Sequence, residues 1–534
     1  MAIIDFEWKP TQGGHYWRPI DEVERYYYAK AQPYAESGHQ PARVTGFVFI
    51  RVGVPAESTT MDMQQQVEVA LRKAWSRLRF QHPNIATWVD QNPATKLLRK
   101  NYNTIMSEED HEAWLKDTVQ TVSTDLLGQE WCSSEVPSPK LPTLYIVRCT
   151  RRPDLHEIRR NIVFRAPPDT IDSAGTFQLL SELFQHASQA LAQQHSFPSP
   201  KFGGEWVNLS PPLRIAAGLP PTTVEHVTTA VTNLGTIKTK EMPRVTLHRD
   251  SGIEVAKLRW DKTGLPYELG GSQRICVTLS DQETKEIIEA CERFKVSIRH
   301  TFHAAVATAM STYQRRTKEE KKVCYIVTSI TDHRKDCTII PPPAYGITPQ
   351  PRQPDPVSVL TSTSGRGFSI NFTVPPACSR RCQQAHTEDC PNRDKSATAD
   401  FLSNIHRIGD FYHSVDTDSN HTSLVPIYAV AATPELPADG SLPPQPDLFL
   451  RPVETATFSS HGVLDTILSP QYGAIKIVDL WVATDELQPN YTCYLHIWQG
   501  QLSLYATYNA IWYERPFVHM FLSCTSGFWV EESE

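Results

Sequence analysis

The alternation of apolar and polar positions divides the chain into helices and strands with clear breaks. In MDMQQQVEVALRKAWSRLRFQHPNIA, Met61 to Ala86, apolar residues recur at helical spacing and stop at Pro83, which predicts a long amphipathic helix. EEDHEAWLKDTVQTVSTDLL, Glu108 to Leu127, predicts a second helix. LPTLYIVRC and RRNIVFRA are rich in β-branched residues and predict two short strands, followed by a helix beginning at GTFQLLSELF. SPKFGGEWVNLSPPLRIAAGLPPT, Ser199 to Thr222, has the proline and glycine density of a linker, so the chain divides into units 1–210 and 211–534. The second unit opens with strand RICVTLS, helix DQETKEIIEACERFK and a helix from Ser297 to Gln314. Loop signals dominate from Ile339 to Asp400, apart from a strand in GFSINFTVPP. AIKIVDLWVA, TCYLHIW and QLSLYATYNA are strand candidates, the last two joined by a turn at Gln499 and Gly500. No repeat of 20 to 50 residues is present. The pattern is an α+β chain in two lobes.

Composition narrows the class without changing that picture. With 40% apolar and 21% charged residues and 41 prolines against 24 glycines, the 534-residue chain reads as globular with many rigid loops. A net charge of −7 provides no basic stripe for nucleic acid. The amino-terminal MAIIDFEWKPTQGG lacks the charge and apolar run of a secretory signal, and no stretch approaches the ~20 apolar residues of a membrane span, so a cytoplasmic location is expected. Eleven scattered cysteines fit reduced thiols. Cys378, Cys382, His386 and Cys390 recur every four residues; stacked along one helix they could not converge on one ion, an objection that weakens if the segment is a loop, so a proline-bounded surface insertion is the expectation and a structural metal the alternative.

The segment FRAPPDTIDSAGTFQLLSELF, Phe164 to Phe184, predicts a strand, a tight turn and an amphipathic helix. Together with LRKAWSRLRFQHPNIA, GGEWVNLSPPLRIAAGLPP, SIRHTFHAAVATAM, SSHGVLDTIL and LHIWQGQLSLYATYN, in that order over nearly the whole chain, it resembles the condensation-domain and chloramphenicol-acetyltransferase-like superfamily, in particular the fungal alcohol acyltransferases of the trichothecene 15-O-acetyltransferase type. The resemblance implies two chloramphenicol-acetyltransferase-like lobes with a central tunnel at their interface. It also implies a His-His-x-x-x-Asp-Gly motif there, whose second histidine takes a proton from the acceptor hydroxyl. Placing Asp172 on the motif aspartate, a structural position held in an ion pair, puts Pro167 and Pro168 on the two histidines and Ser173 on the glycine. Proline cannot accept a proton and stiffens the loop. Loss of the general base is expected to remove about 10²- to 10⁴-fold of rate unless it is replaced.

Three residues are candidate replacements. Asp169 adjoins the lost position, as a base if burial raises its pKa or else as an exposed loop aspartate. His303 lies on the second-lobe helix, as a tunnel residue or a packed histidine bonded to its surroundings. His461, in SSHG, either borders the cavity or sits in a surface loop. Pro168, Ser459, Ser460 and His300 are expected to line the substrate site, and Asp172, Asp479 and Trp481 to be structural. Arg165 is a possible partner for Asp172. No dinucleotide loop, phosphate loop or Gly-x-Ser-x-Gly elbow is present.

Without the motif base, the preferred expectation is a natural-product enzyme repurposed to cyclise a polyketide- or terpenoid-type intermediate by a pericyclic, Diels–Alder-like step, with no cofactor. The alternative is O-acyl transfer from acyl-CoA, as co-substrate, to a hydroxylated natural product. A third is a non-catalytic binding protein. In each case the partner is a small molecule, and a monomer is expected.

Overall fold

In the computed structural model the described residues are 5–134, 138–152, 154–240, 253–255, 270–314, 317–338, 355–374, 376, 396–418, 420–437, 441–443, 457–487 and 490–527. The first lobe is built on a six-stranded sheet in the order Gln471–Tyr472, Ile475–Thr484, Val44–Gly53, Glu157–Ala166, Thr143–Cys149 and Val119–Thr124. Helices Thr60–Gln81 and Ser173–Gln193 cover one face, where Trp75, Leu78, Phe177, Leu180 and Phe184 close on Ile162 and Phe164. The first helix is started by Thr59, whose hydroxyl accepts from Asp62 N–H, and gives way at His82 and Pro83 to a short 3-10 turn, Pro83–Ala86.

The helix expected over 108–127 is corrected: only Glu108–Thr118 is helical, and Val119–Thr124 is a strand paired in parallel with Thr143–Cys149. VQTVST has four β-branched residues in six, and ladder pairing prevails over continuation of the helix.

The second lobe has a four-stranded sheet, Ser272–Thr278, Gln501–Asn509, Tyr491–Trp498 and Thr457–Val463, and a three-stranded one, Thr361–Val374, Lys321–Asp332 and Ile253–Val255. Gln499 and Gly500 both have positive φ, 49° and 79°, and their tight turn sets the register of the last two long strands. Alternation then sorts the side chains. Cys493, Leu495, Leu502, Leu504 and Ala506 enter the core of the second lobe with Phe302, Val306 and Met310. Tyr494, His496, Ser503 and Tyr505 lie on the opposite face.

That opposite face meets the first lobe. Phe47, Trp131, Tyr145, Val163, Trp481, Tyr494 and Tyr505 form one buried cluster contributed by both sheets. Trp481 belongs to strand Ile475–Thr484, which pairs antiparallel with Val44–Gly53, so a late stretch of chain completes the first lobe's sheet. Among the described residues no helix is long and apolar enough to cross a membrane.

Candidate active site between the lobes

The turn that carries Pro167 and Pro168 runs from strand Glu157–Ala166 to helix Ser173–Gln193, and both prolines are buried. Asp172 caps the helix by accepting from Gly175 N–H at 2.8 Å. The same carboxylate receives both Nη groups of Arg334, at 2.9 and 3.1 Å, and Leu360 N–H at 2.8 Å. Upstream, the carbonyl of Asp169 accepts from Lys100 Nζ at 2.7 Å, and Lys100 is held by Glu24, which also forms a two-pronged pair with Arg18. These buried charges tie the turn at both ends to other elements.

From the second lobe, His461 approaches the helix that follows this turn. Its strand pairs in parallel with Tyr491–Trp498, and the register shifts between Ser460 and Gly462, which places His461 on a bulge. Bulges re-aim a side chain out of the ladder. The imidazole packs against Phe177 of the helix after the motif, ring centres 5.0 Å apart, and against Tyr494 at 5.4 Å. Its Nδ1 lies 3.1 Å from the Tyr505 hydroxyl, which in turn donates to the Val482 carbonyl at 2.8 Å. A carbonyl only accepts, so the phenol proton is committed to Val482 and Nδ1 must carry the imidazole proton. Nε2 is left as a bare lone pair, buried and without a hydrogen-bond partner. Burial lowers the His461 pKa to about 4, and the Asp172 charge opposes that shift, so the ring is neutral near pH 7.

Other polar atoms around Tyr505 are also unmatched. His496 Nδ1, Trp481 Nε1 and Arg274 Nε are buried with no hydrogen-bond partner. The His496 ring lies 5.3 Å from Tyr505, and the Arg274 guanidinium sits 4.5 Å from the ring centres of both Tyr505 and Trp481. Buried polar groups are normally matched, so these atoms around Tyr505 are open to a ligand or to water.

Several expected positions change character. His303 is a core residue: Nδ1 bonds Tyr412 Oη at 2.9 Å, Nε2 bonds Tyr325 Oη at 3.2 Å, and Phe458 stacks on the ring. With both nitrogens occupied it has no free atom for proton transfer, which corrects its reading as a base. His300 stacks on the same Tyr412 and packs against Gly409, on the helix side of the second lobe. Arg165 is not the partner of Asp172; it is fully buried, donates to the Cys132 carbonyl at 2.7 Å and lies over Trp131. Asp169 is buried rather than exposed, and burial raises its carboxyl pKa against the opposing charge of Lys100.

Ser459 and Ser460 are half-buried and pair with Tyr494 and Leu495, next to His461. Asp479 sits at a register shift and accepts from Gln129 Nε2 at 2.9 Å. Trp481 stacks on Phe47. Cys378, Cys382, His386 and Cys390 lie outside the described residues. Among the described residues, Glu108, His111 and Glu112 are close enough to share an ion, but Glu112 is paired with Arg72 and His111 is bonded to Ser76.

Arg334, Arg274, Tyr494, His496 and Tyr505 are absent from the sequence-based site. Four of them carry a visible signal, because they alternate with apolar residues on their strands: Arg274 lies before Ile275, Tyr494 and His496 flank Leu495, and Tyr505 lies between Leu504 and Ala506.

Two mixed lobes joined by a crossover strand, with this turn between them, form a fold similar to those of solved acetyltransferases and condensation domains. The chain superposes on the trichothecene 15-O-acetyltransferase of Fusarium sporotrichioides with a TM-score of 0.70 at 15% identity, covering 98% of this chain and 97% of that one. It superposes on the condensation domain of the monacolin K polyketide synthase MokA with a TM-score of 0.53 at 13% identity, covering 97% of each. In sequence it is 22% identical over 512 residues to the acetyltransferase pigO of Monascus ruber, 95% of this chain and 94% of that protein. It is 24% identical over 310 residues to the O-acetyltransferase pigM of the same organism, 56% of this chain and 51% of that protein. No protein-family model matches the chain.

Proposed function

We propose that the protein is an O-acyltransferase of natural-product metabolism that uses His461 in place of the lost motif histidine, with acyl-CoA as donor and a hydroxylated small molecule as acceptor. The observation that carries this reading is the lone pair on His461 Nε2, fixed by the Val482–Tyr505–His461 chain and left unmatched beside the motif helix. In the proposed step the acceptor O–H gives its proton to Nε2 as its oxygen bonds to the thioester carbonyl carbon. The C–S bond then breaks, and the imidazolium returns the proton to the departing thiolate. A pKa of about 4 makes the imidazole a weaker base than usual, but keeps the whole population in the neutral form. The likeness to acetyltransferases over almost the whole chain supports the same reading.

Incubation with acetyl-CoA and a panel of alcoholic and phenolic polyketides, with free CoA as readout, tests it. H461A is expected to lower the rate by about 10²- to 10⁴-fold with an unchanged unfolding midpoint. Full activity in H461A, or no CoA release by the unmodified protein with any acceptor, overturns the proposal.

A second reading, cyclisation of a bound polyene without a base, is favoured by the unmatched indole N–H of Trp481 and by the rigid Pro167–Pro168 turn. It requires product from a linear precursor without acyl-CoA, at the same rate in H461A.

A further inference from the structure

Arg274 lies on strand Ser272–Thr278, one residue before Ile275. Ile275 enters the core of the second lobe, so alternation turns Arg274 toward the first. Its guanidinium contacts the rings of Trp481 and Tyr505, each with its centre 4.5 Å away. Its Nε is buried without a partner, as are those of Arg18, Arg160 and Arg334, but the guanidinium of Arg274 makes no hydrogen bond or ion pair with any described residue.

Other interior arginines have acceptors for their Nη groups. Arg18 pairs with Glu24, Arg43 with Asp485, Arg160 with Asp154 and Arg334 with Asp172, while Arg165 and Arg79 donate to the carbonyls of Cys132 and Asn103. A half-buried guanidinium with only aromatic partners is stabilised by cation–π attraction but lacks an acceptor for its N–H groups. The nearby groups supply no negative charge to balance it. Burial pushes the Cys132 thiol up to about 12 and holds the Tyr505 phenol well above its usual value, so both stay protonated. The neighbouring His496 is kept neutral by its own burial, with a pKa of about 3.

We propose that Arg274 anchors an oxyanion, a carboxylate or an acidic enolate, on the small molecule held between the lobes. The aromatic contacts leave the in-plane edge of the guanidinium for the two-pronged contact that a planar oxyanion makes. The substrate class is thereby narrowed to acidic, delocalised molecules, a deepening that rests on the interlobe face being the substrate site. The donor's phosphates are the other source of negative charge, and the test separates the two.

Binding of 2-naphthoate and of the neutral 2-naphthamide is measured at pH 7 by calorimetry on the full chain, for the unmodified protein, R274Q and R274K. The unmodified protein is expected to favour naphthoate by about tenfold or more, R274Q to bind the two equally, and R274K to keep a reduced preference, because an ammonium lacks the planar fork. The unfolding midpoint of each variant shows that it is folded, and R274K stands in should R274Q unfold. Equal binding by the unmodified protein, or an undiminished preference in R274Q or R274K, overturns the proposal. So does displacement of naphthoate by adenosine 3′,5′-bisphosphate, which would assign the arginine to the donor. Naphthoate preference without CoA release would leave the anchor standing while the acyl-transfer reading falls.

Discussion

Three buried histidines show how one ring is fitted to different work by its two nitrogens. His303 has both nitrogens bonded to tyrosine hydroxyls and serves packing. His82 lies between two carboxylates, Glu182 at 2.7 Å and Asp355 at 3.0 Å, and their charges outweigh burial and hold it protonated as a clamp between elements. His461 has one nitrogen bonded and one free, the arrangement a base requires. If the Val482–Tyr505 pair sets the tautomer, Y505F strips Nδ1 of its acceptor without touching Nε2. We expect kcat to fall by roughly tenfold, the equivalent of about 1.4 kcal/mol, with KM within about twofold. A purely structural tyrosine would instead shift the unfolding midpoint and leave the ¹⁵N shifts of the ring unchanged. Unchanged kcat in Y505F would remove the tautomer argument.

At the scale of elements, the motif turn is held by one close approach. A Cβ built on Gly175 would lie 2.0 Å from the Pro356 carbonyl oxygen and 2.7 Å from Arg334 Nη2, so only glycine lets the helix start, the 355–360 segment and the Asp172–Arg334 pair converge. G175A must push backbone aside, and we expect it to cost about 1–3 kcal/mol of stability and to lower CoA release through the loosened turn. G204A, where a Cβ meets open space and φ is negative, is the control, expected within about 0.5 kcal/mol. Equal unfolding midpoints for the two variants would contradict this account. Much at this scale was legible in the sequence: the helix after the motif, the break at Pro83 and the last hairpin stand where hydrophobic spacing and turn residues put them. The Asp172 partner was not, because Arg334 follows a strand about 160 residues away and only the tertiary fold brings it in. His303 misled for a related reason: its spacing fits a buried helix face equally well whether that face meets a tunnel or a core, and Tyr325 and Tyr412 come from other elements.

For the whole molecule, the buried neutral histidines set a direction for stability against pH. Burial depresses His303 and His496 to about 3 and His300 and His461 to about 4, against about 6.5 in an unfolded chain. Between those values the unfolded state binds more protons than the folded one, so the stability these groups contribute is present above pH 6.5 and lost as pH falls through that window. Asp21, raised to about 7, and Asp169 act in the opposite sense, since burial makes the folded state hold their protons longer, but they are fewer. His82 also has the reverse sign: its pKa is raised, so its contribution is full below 6.5 and is lost only as pH rises through the raised value. The unfolding midpoint should therefore decline from pH 7 toward pH 4. H303Q, which keeps an amide able to bond one of the two tyrosines, removes one of the depressed protons. Its acid decline should be shallower by about 1.4 kcal/mol per pH unit, one proton's worth. Thermal unfolding of the two proteins from pH 4 to 8 measures the difference directly. Parallel declines would mean that His303 takes up its proton while still folded, and would open the core reading of that residue to doubt.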